Sequence, residues 1–196
     1  GITAQRNAVV LLDNESSALP LPAETRIFVD GLDPSVAAKY GTVVERPDEA
    51  DVVLLFLNTV FNGNQPAGTD RTLDQMMATR FPDTNLAFSE EILAKAASYR
   101  EVSQLVTLVD LNRPAVLTEL NGMSDALVGT FGVSDEAMLD VVFGKHNPVG
   151  KLPFELPSSM AEVEAQLEDV PDDTANPLFP YGLSLIHISE PTRQKP

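Results

Sequence analysis

"DVVLLFLN", residues 51–58, is the stretch that decides the fold. Its apolar residues run unbroken from Val52 to Leu57, where a strand with one wet face would alternate apolar and polar. Such a strand is buried on both faces, as in a parallel sheet covered by helices on either side. Three more runs have the same character: "RIFVD" (26–30), "QLVTLVDL" (104–111) and "ALVGTFG" (126–132). "TVVER" (42–46) is shorter and suits a sheet edge.

Helical punctuation separates these runs. Asp33 and Pro34 read as an N-cap and a first helical residue, with Gly41 beyond a short helix. Ser89, ahead of Glu90 and Glu91, and Ser134, ahead of Asp135 and Glu136, each place a cap before acids in a first turn. Gly144 reads as the stop of the second of these helices, and Ser159 with Glu162 has capping-box spacing. Strand and helix alternate, so the expected class is α/β: an open, mainly parallel, doubly wound sheet with helices on both faces, a three-layer α/β sandwich.

The composition fits one soluble domain. With 43% hydrophobic residues in 196, the chain can bury roughly 70% of its unfolded surface. No apolar run approaches the ~20 residues of a membrane span. A net charge of −16 argues against nucleic-acid partners, because affinity for phosphate backbones comes largely from Lys and Arg. Without cysteine there is no disulfide, thiolate metal site or cysteine nucleophile, and two histidines make a Ser-His-Asp triad or a histidine metal site a poor fit. No glycine-rich phosphate loop follows any strand, so no nucleotide cofactor is expected.

Residues 59–88 break the pattern. They show no sustained periodicity, and "NGNQPAG" (62–68) is turn chemistry. A connection this long in a compact domain tends to be functional. It follows the most apolar strand, which places it at the carboxyl edge of the sheet, where open α/β folds bind ligands. Asn58, Asp110, Asn112 and Arg113 also stand at or just past strand ends on that edge, as candidate substrate-binding residues.

"VVFGKHNPVGKLPFELP", residues 141–157, is the most specific motif. Physically, it reads as a helix end at Gly144, a tight turn through Asn147, Pro148 and Gly150, and an extended run over 151–154. As a whole it resembles the C-terminal domain signature of glycoside hydrolase family 3, the β-glucosidase and β-xylosidase family. Further segments resemble that family in the right order: "AVVLLDN…ALPL" (8–21), "DVVLLFLN", "NRPAVL" (112–117) and "ANPLFPYG" (175–182).

The resemblance implies a fold and a chemistry. Glycoside hydrolysis takes two carboxyl groups flanking the scissile bond. In the family the nucleophile is an aspartate on a preceding barrel domain, here an N-terminal partner domain of the parent chain. The α/β sandwich supplies a pocket wall and, in many members, an acid/base glutamate just before an Asp-Arg pair in the loop after the second strand. Here "PAGTDRTLDQ" (66–75) keeps Asp70-Arg71, yet no glutamate lies between Asn58 and Phe88. Asp70 or Asp74 could take the acid/base role if burial raises its pKa, while Asp70 could equally pair with Arg71 or cap a turn. Arg71 offers fixed donors to sugar hydroxyls, or is a solvated loop charge. The implied substrate is a β-linked oligosaccharide or glycoside, with no metal and no organic cofactor, and the chain alone is expected to be inactive. A non-catalytic module that binds sugar or docks on a barrel is the other expectation.

The family's closing motif breaks off after Tyr181 and Gly182. "LSLIHISEPTR" (183–193) resembles the in-frame translation of a sequencing adapter, so the expected domain is 1–182 and residues 183–196 are expected to be non-native.

Overall fold

The computed structural model describes residues 1–59, 85–167, 170 and 173–185. Six strands form the main sheet: β1 (Val10–Asp13), β2 (Arg26–Asp30), β3 (Thr42–Val43), β4 (Val52–Asn58), β5 (Gln104–Asp110) and β6 (Ala126–Thr130), in the order β1-β6-β5-β4-β2-β3. All neighbours pair in parallel except β1, which lies antiparallel on β6 as an edge strand.

The unbroken apolar runs are explained by two cores, one on each face. Ile27, Leu54, Val106, Leu108 and Val128 point into the first core, while Val53, Leu55, Leu105, Val109 and Leu127 point into the second. Because side chains alternate along a strand, a run without polar interruption is what two buried faces require. The first core is closed by α2 (Pro34–Ala37) and α5 (Asp135–Val142), through Ala37, Met138, Leu139 and Val142. The second is closed by α3 (Glu90–Val102) and α4 (Thr118–Met123), through Ala96 and Leu120. Helices after β2 and β6 therefore lie on one side, and those after β4 and β5 on the other, so the sheet is doubly wound. The chain reverses its direction across the sheet between β2 and β4, and their carboxyl ends mark the switch point.

The caps form as the sequence suggests. Asp33 Oδ1 accepts from Ser35 N at 2.8 Å, and the hydroxyls of Ser89, Ser134 and Ser159 accept from the backbone N–H three residues on. Ser159 opens α6 (Met160–Ala165), and Glu162 turns its carboxylate to the Asn176 amide, 3.3 Å away. At the other end of the chain, α1 (Ile2–Arg6) packs on α5.

The motif of residues 141–157 differs in detail from its sequence reading. Gly144 does end α5, at φ +69°, but the turn lies at Phe143 and Gly144, not at 147–150. Gly150 serves close approach instead: a Cβ there would sit 2.5 Å from the Val9 carbonyl oxygen. The run over 151–154 bends at Pro153 and Phe154, and strand pairing starts only with β7 (Leu156–Pro157), antiparallel to β8 (Pro177–Phe179). Leu183 continues onto the body, accepting from Leu152 N at 3.0 Å, and its side chain reaches the second core.

Candidate functional site

The carboxyl ends of β4, β5 and β6 carry a connected polar cluster. Asn58 and Asp110 are register partners at the ends of β4 and β5. Asp110, only 7% exposed, is the hub. Its Oδ1 accepts from Gly132 N at 2.7 Å and from the Thr130 hydroxyl at 3.3 Å, and its Oδ2 accepts from Asn112 Nδ2 at 2.6 Å. Charge-assisted bonds of this kind are roughly twice as strong as neutral ones, so one carboxylate ties the ends of two strands to the loop that follows β5. The Asn112 amide also lies 3.4 Å from Asn58 Oδ1, and both asparagines are exposed.

That same loop grips the long connection at both flanks. Thr59 donates twice to the Asp110 carbonyl, from N at 3.2 Å and Oγ1 at 2.8 Å. Arg113 donates from Nε to the Thr59 carbonyl and from Nη2 to the Asn85 carbonyl, each at 3.1 Å. Val116 N donates to Leu86 O at 2.9 Å, and Val116 forms a parallel bridge with Ala87. Four of the expected binding residues, Asn58, Asp110, Asn112 and Arg113, are thus brought together on the expected edge. Asp70, Arg71 and Asp74 fall within residues 60–84, outside the described residues, as do Met76, Met77 and Phe81.

A second group stands at the end of β2, across the switch point. Asp30 Oδ2 accepts from Lys95 Nζ at 3.0 Å and from the Tyr99 hydroxyl at 2.9 Å. Burial, and then the Asp30 carboxylate, push the Tyr99 phenol up to about 12, so it is a neutral donor at physiological pH. Thr59, Thr130 and Asn85 complete the edge, although a threonine or asparagine beside a strand carries no distinguishing signal in sequence. Among the described residues, no group of three or more His, Cys, Asp or Glu is placed to hold a metal ion.

A doubly wound sandwich with hydrogen-bonding side chains gathered at its strand ends defines an α/β domain built to meet a polar ligand at that edge. The chain belongs to glycosyl hydrolase family 3, whose C-terminal domain is matched by residues 30–186. Beta-glucosidase C of Emericella nidulans is 42% identical over 191 residues, covering 94% of this chain and 29% of that protein. The periplasmic beta-glucosidase/beta-xylosidase of Dickeya chrysanthemi is 36% identical, covering 93% of this chain and 27% of its own length. The chain therefore spans under a third of these relatives. Among solved structures, a beta-glucosidase from Listeria innocua in complex with glucose superposes with a TM-score of 0.69 at 19% identity, over 93% of this chain and 32% of that one. An exo-1,3/1,4-beta-glucanase from a Pseudoalteromonas species gives the same TM-score at 22% identity, over 94% of this chain and 35% of its own. At these identities the likeness speaks to the fold.

Proposed function

We propose that this chain is the C-terminal part of a retaining β-glycosidase of β-glucosidase type. The carboxyl edge of β4, β5 and β6 forms one wall of its sugar pocket. The observation that carries this reading is the match of 94% of the chain to a β-glucosidase at 42% identity. The substrate is a β-linked oligosaccharide or glycoside, and neither a metal nor an organic cofactor enters the chemistry. The nucleophile belongs to the N-terminal barrel domain of the parent, which makes the isolated chain inactive.

The chemistry takes two displacements. The barrel carboxylate attacks the anomeric carbon while an acid protonates the departing oxygen; the same group then takes a proton from the water that cleaves the glycosyl ester. Asp70 and Asp74 are the candidates for that acid and base, and Arg71 is the donor to sugar hydroxyls beside them. Asn58 and Asn112, exposed and adjacent at the strand ends, offer further hydrogen bonds to hydroxyls.

The full-length protein tests the acid. Replacing the responsible residue, by Asp70→Asn or Asp74→Asn, is expected to slow hydrolysis of an alkyl β-glucoside by ~10²-fold. A dinitrophenyl β-glucoside, whose leaving group needs no proton, should react with the enzyme nucleophile almost as before. Two variants that both leave the alkyl glucoside rate unchanged would remove this assignment.

One observation favours a second reading. No glutamate lies between Asn58 and Phe88, where the family pattern places its acid/base. A non-catalytic module that binds sugar or docks on a barrel would have no use for that residue. Weak sugar binding without turnover by the full-length protein would establish it.

A further inference from the structure

Arg113 occupies an unusual place for a sugar donor. Its Nε and Nη2 are directed at two backbone carbonyls, those of Thr59 and Asn85, which flank residues 60–84 on either side. We infer that Arg113 is a positioning residue, a clasp that fixes both ends of this connection to the strand edge. The inference rests on the proposed function, since Asp70, Arg71 and Asp74 belong to the stretch whose ends are clasped.

The surroundings make the clasp stiff. Thr59 is 6% exposed and held by two bonds to the Asp110 carbonyl, so one anchor is part of the sheet edge itself. The other anchor is zipped onto the loop after β5, through Val116 N to Leu86 O and the Ala87–Val116 bridge. Pro114 keeps Arg113 out of the helical region, which holds this loop extended between its two attachments. A guanidinium presents its N–H groups as a rigid planar fork, so it can span two carbonyls at fixed separation. A lysine ammonium is a point charge on a flexible stem and spans them poorly.

Fixing two ends lowers the entropic cost of holding any side chain between them in a productive pose. A catalytic group displaced by a fraction of its reach loses rate far more than binding. Arg113 would therefore act on turnover through residues 60–84, without itself touching the reacting atoms.

The test reads amide exchange on the 196-residue chain and kinetics on the full-length protein. In Arg113→Ala, exchange at the Thr59 and Val116 amides is expected to rise by about tenfold, with Leu54 and Val106 in the sheet core unchanged. Arg113→Lys, which keeps the charge and folds more safely, is expected to give most of the same rise. In the full-length enzyme, kcat should fall by about tenfold with KM held within roughly twofold. A raised KM with unchanged exchange at Thr59 and Val116 would overturn the inference in favour of direct sugar contact. Exchange rising in step across β4 and β5 would overturn it in favour of plain structural support. A full-length wild type that turns over no β-glucoside defeats the proposed function instead, and the exchange comparison then still decides whether the clasp exists.

Discussion

Asp140→Ala is expected to cost about 3 kcal/mol of folding stability and to lower the thermal midpoint by roughly 10 °C. Asp140 sits mid-helix on the buried side of α5, at 4% exposure. Its Oδ2 meets Arg6 Nε at 2.6 Å and Nη2 at 2.5 Å, and its Oδ1 accepts from the Tyr40 hydroxyl at 2.7 Å. One carboxylate therefore joins α1, α5 and the residue that follows α2. Removing one partner of a buried pair typically costs ~3–5 kcal/mol, because the other charge is left uncompensated. The low end applies here: the Arg6 side chain is 28% exposed and can recover water, and the Glu136 carbonyl lies 3.1 Å from the Tyr40 hydroxyl as a fallback acceptor. Urea melts of Arg6→Ala, Asp140→Ala and the double variant measure the pair, with a coupling of about 1–2 kcal/mol expected. The network also has an alkaline signature. Burial first, and Asp140 second, hold the Tyr40 phenol well above its usual range. A group with a raised folded pKa stabilises fully below its unfolded value, near 10, and loses that contribution as pH climbs beyond it. Asp140→Ala should therefore show a shallower stability loss between about pH 10 and 12 than the wild type.

Asp110→Ala is expected to cost about 3 kcal/mol and to abolish the organisation of the strand edge. Three donors lose their acceptor at once: Gly132 N, the Thr130 hydroxyl and Asn112 Nδ2. Thr130 is 1% exposed, so its hydroxyl cannot turn to water, whereas Gly132 and Asn112 are exposed and can. Hydrogen bonds to a charged group contribute ~1.5–3 kcal/mol each, and rehydration of the two exposed donors holds the sum near 3. Asp110→Asn keeps an acceptor for Gly132 N but sets an amide against the Asn112 amide, and should cost about 1 kcal/mol. Denaturant melts give the stabilities. Amide exchange at Gly132 and Thr59 reports the edge directly, and should accelerate in the alanine variant far more than in the asparagine variant.

Much of this fold was legible because burial on both faces leaves a mark that one-faced burial does not. The runs containing Ile27, Val52, Leu105 and Ala126 became β2, β4, β5 and β6 with ends shifted by two residues at most. Caps at Asp33, Ser89 and Ser134 formed because each satisfies a helix N–H within its own turn, a purely local interaction. Direction and long-range pairing were not legible. The run through Val10, Leu11 and Leu12 looks like its neighbours, yet pairs antiparallel with β6, and only that partner sets its direction. β7 and β8 span two and three residues and include Pro157 and Pro177, too little pattern to announce a strand.

The site divides the same way. The strand-end rule places Asn58, Asp110, Asn112 and Arg113 on one edge, because position at a strand terminus is a local property. Their partners are not local. Arg113 reaches Thr59 and Asn85 across a connection whose own spacing names neither. Asp140 shows where a signal was present: a lone carboxylate among Ala137, Met138, Leu139, Val141 and Val142 cannot be buried without a partner. That a cation was needed could be read from α5, while Arg6 as its source could not.

The most direct measurement of the central claim follows the anomeric proton by NMR while the full-length protein acts on an aryl β-glucoside, with the 196-residue chain as control. The expected result is turnover by the full-length protein with β-glucose as the first product, and none by the chain alone. An α-anomer as first product, or sugar binding with no turnover by the full-length protein, would contradict it.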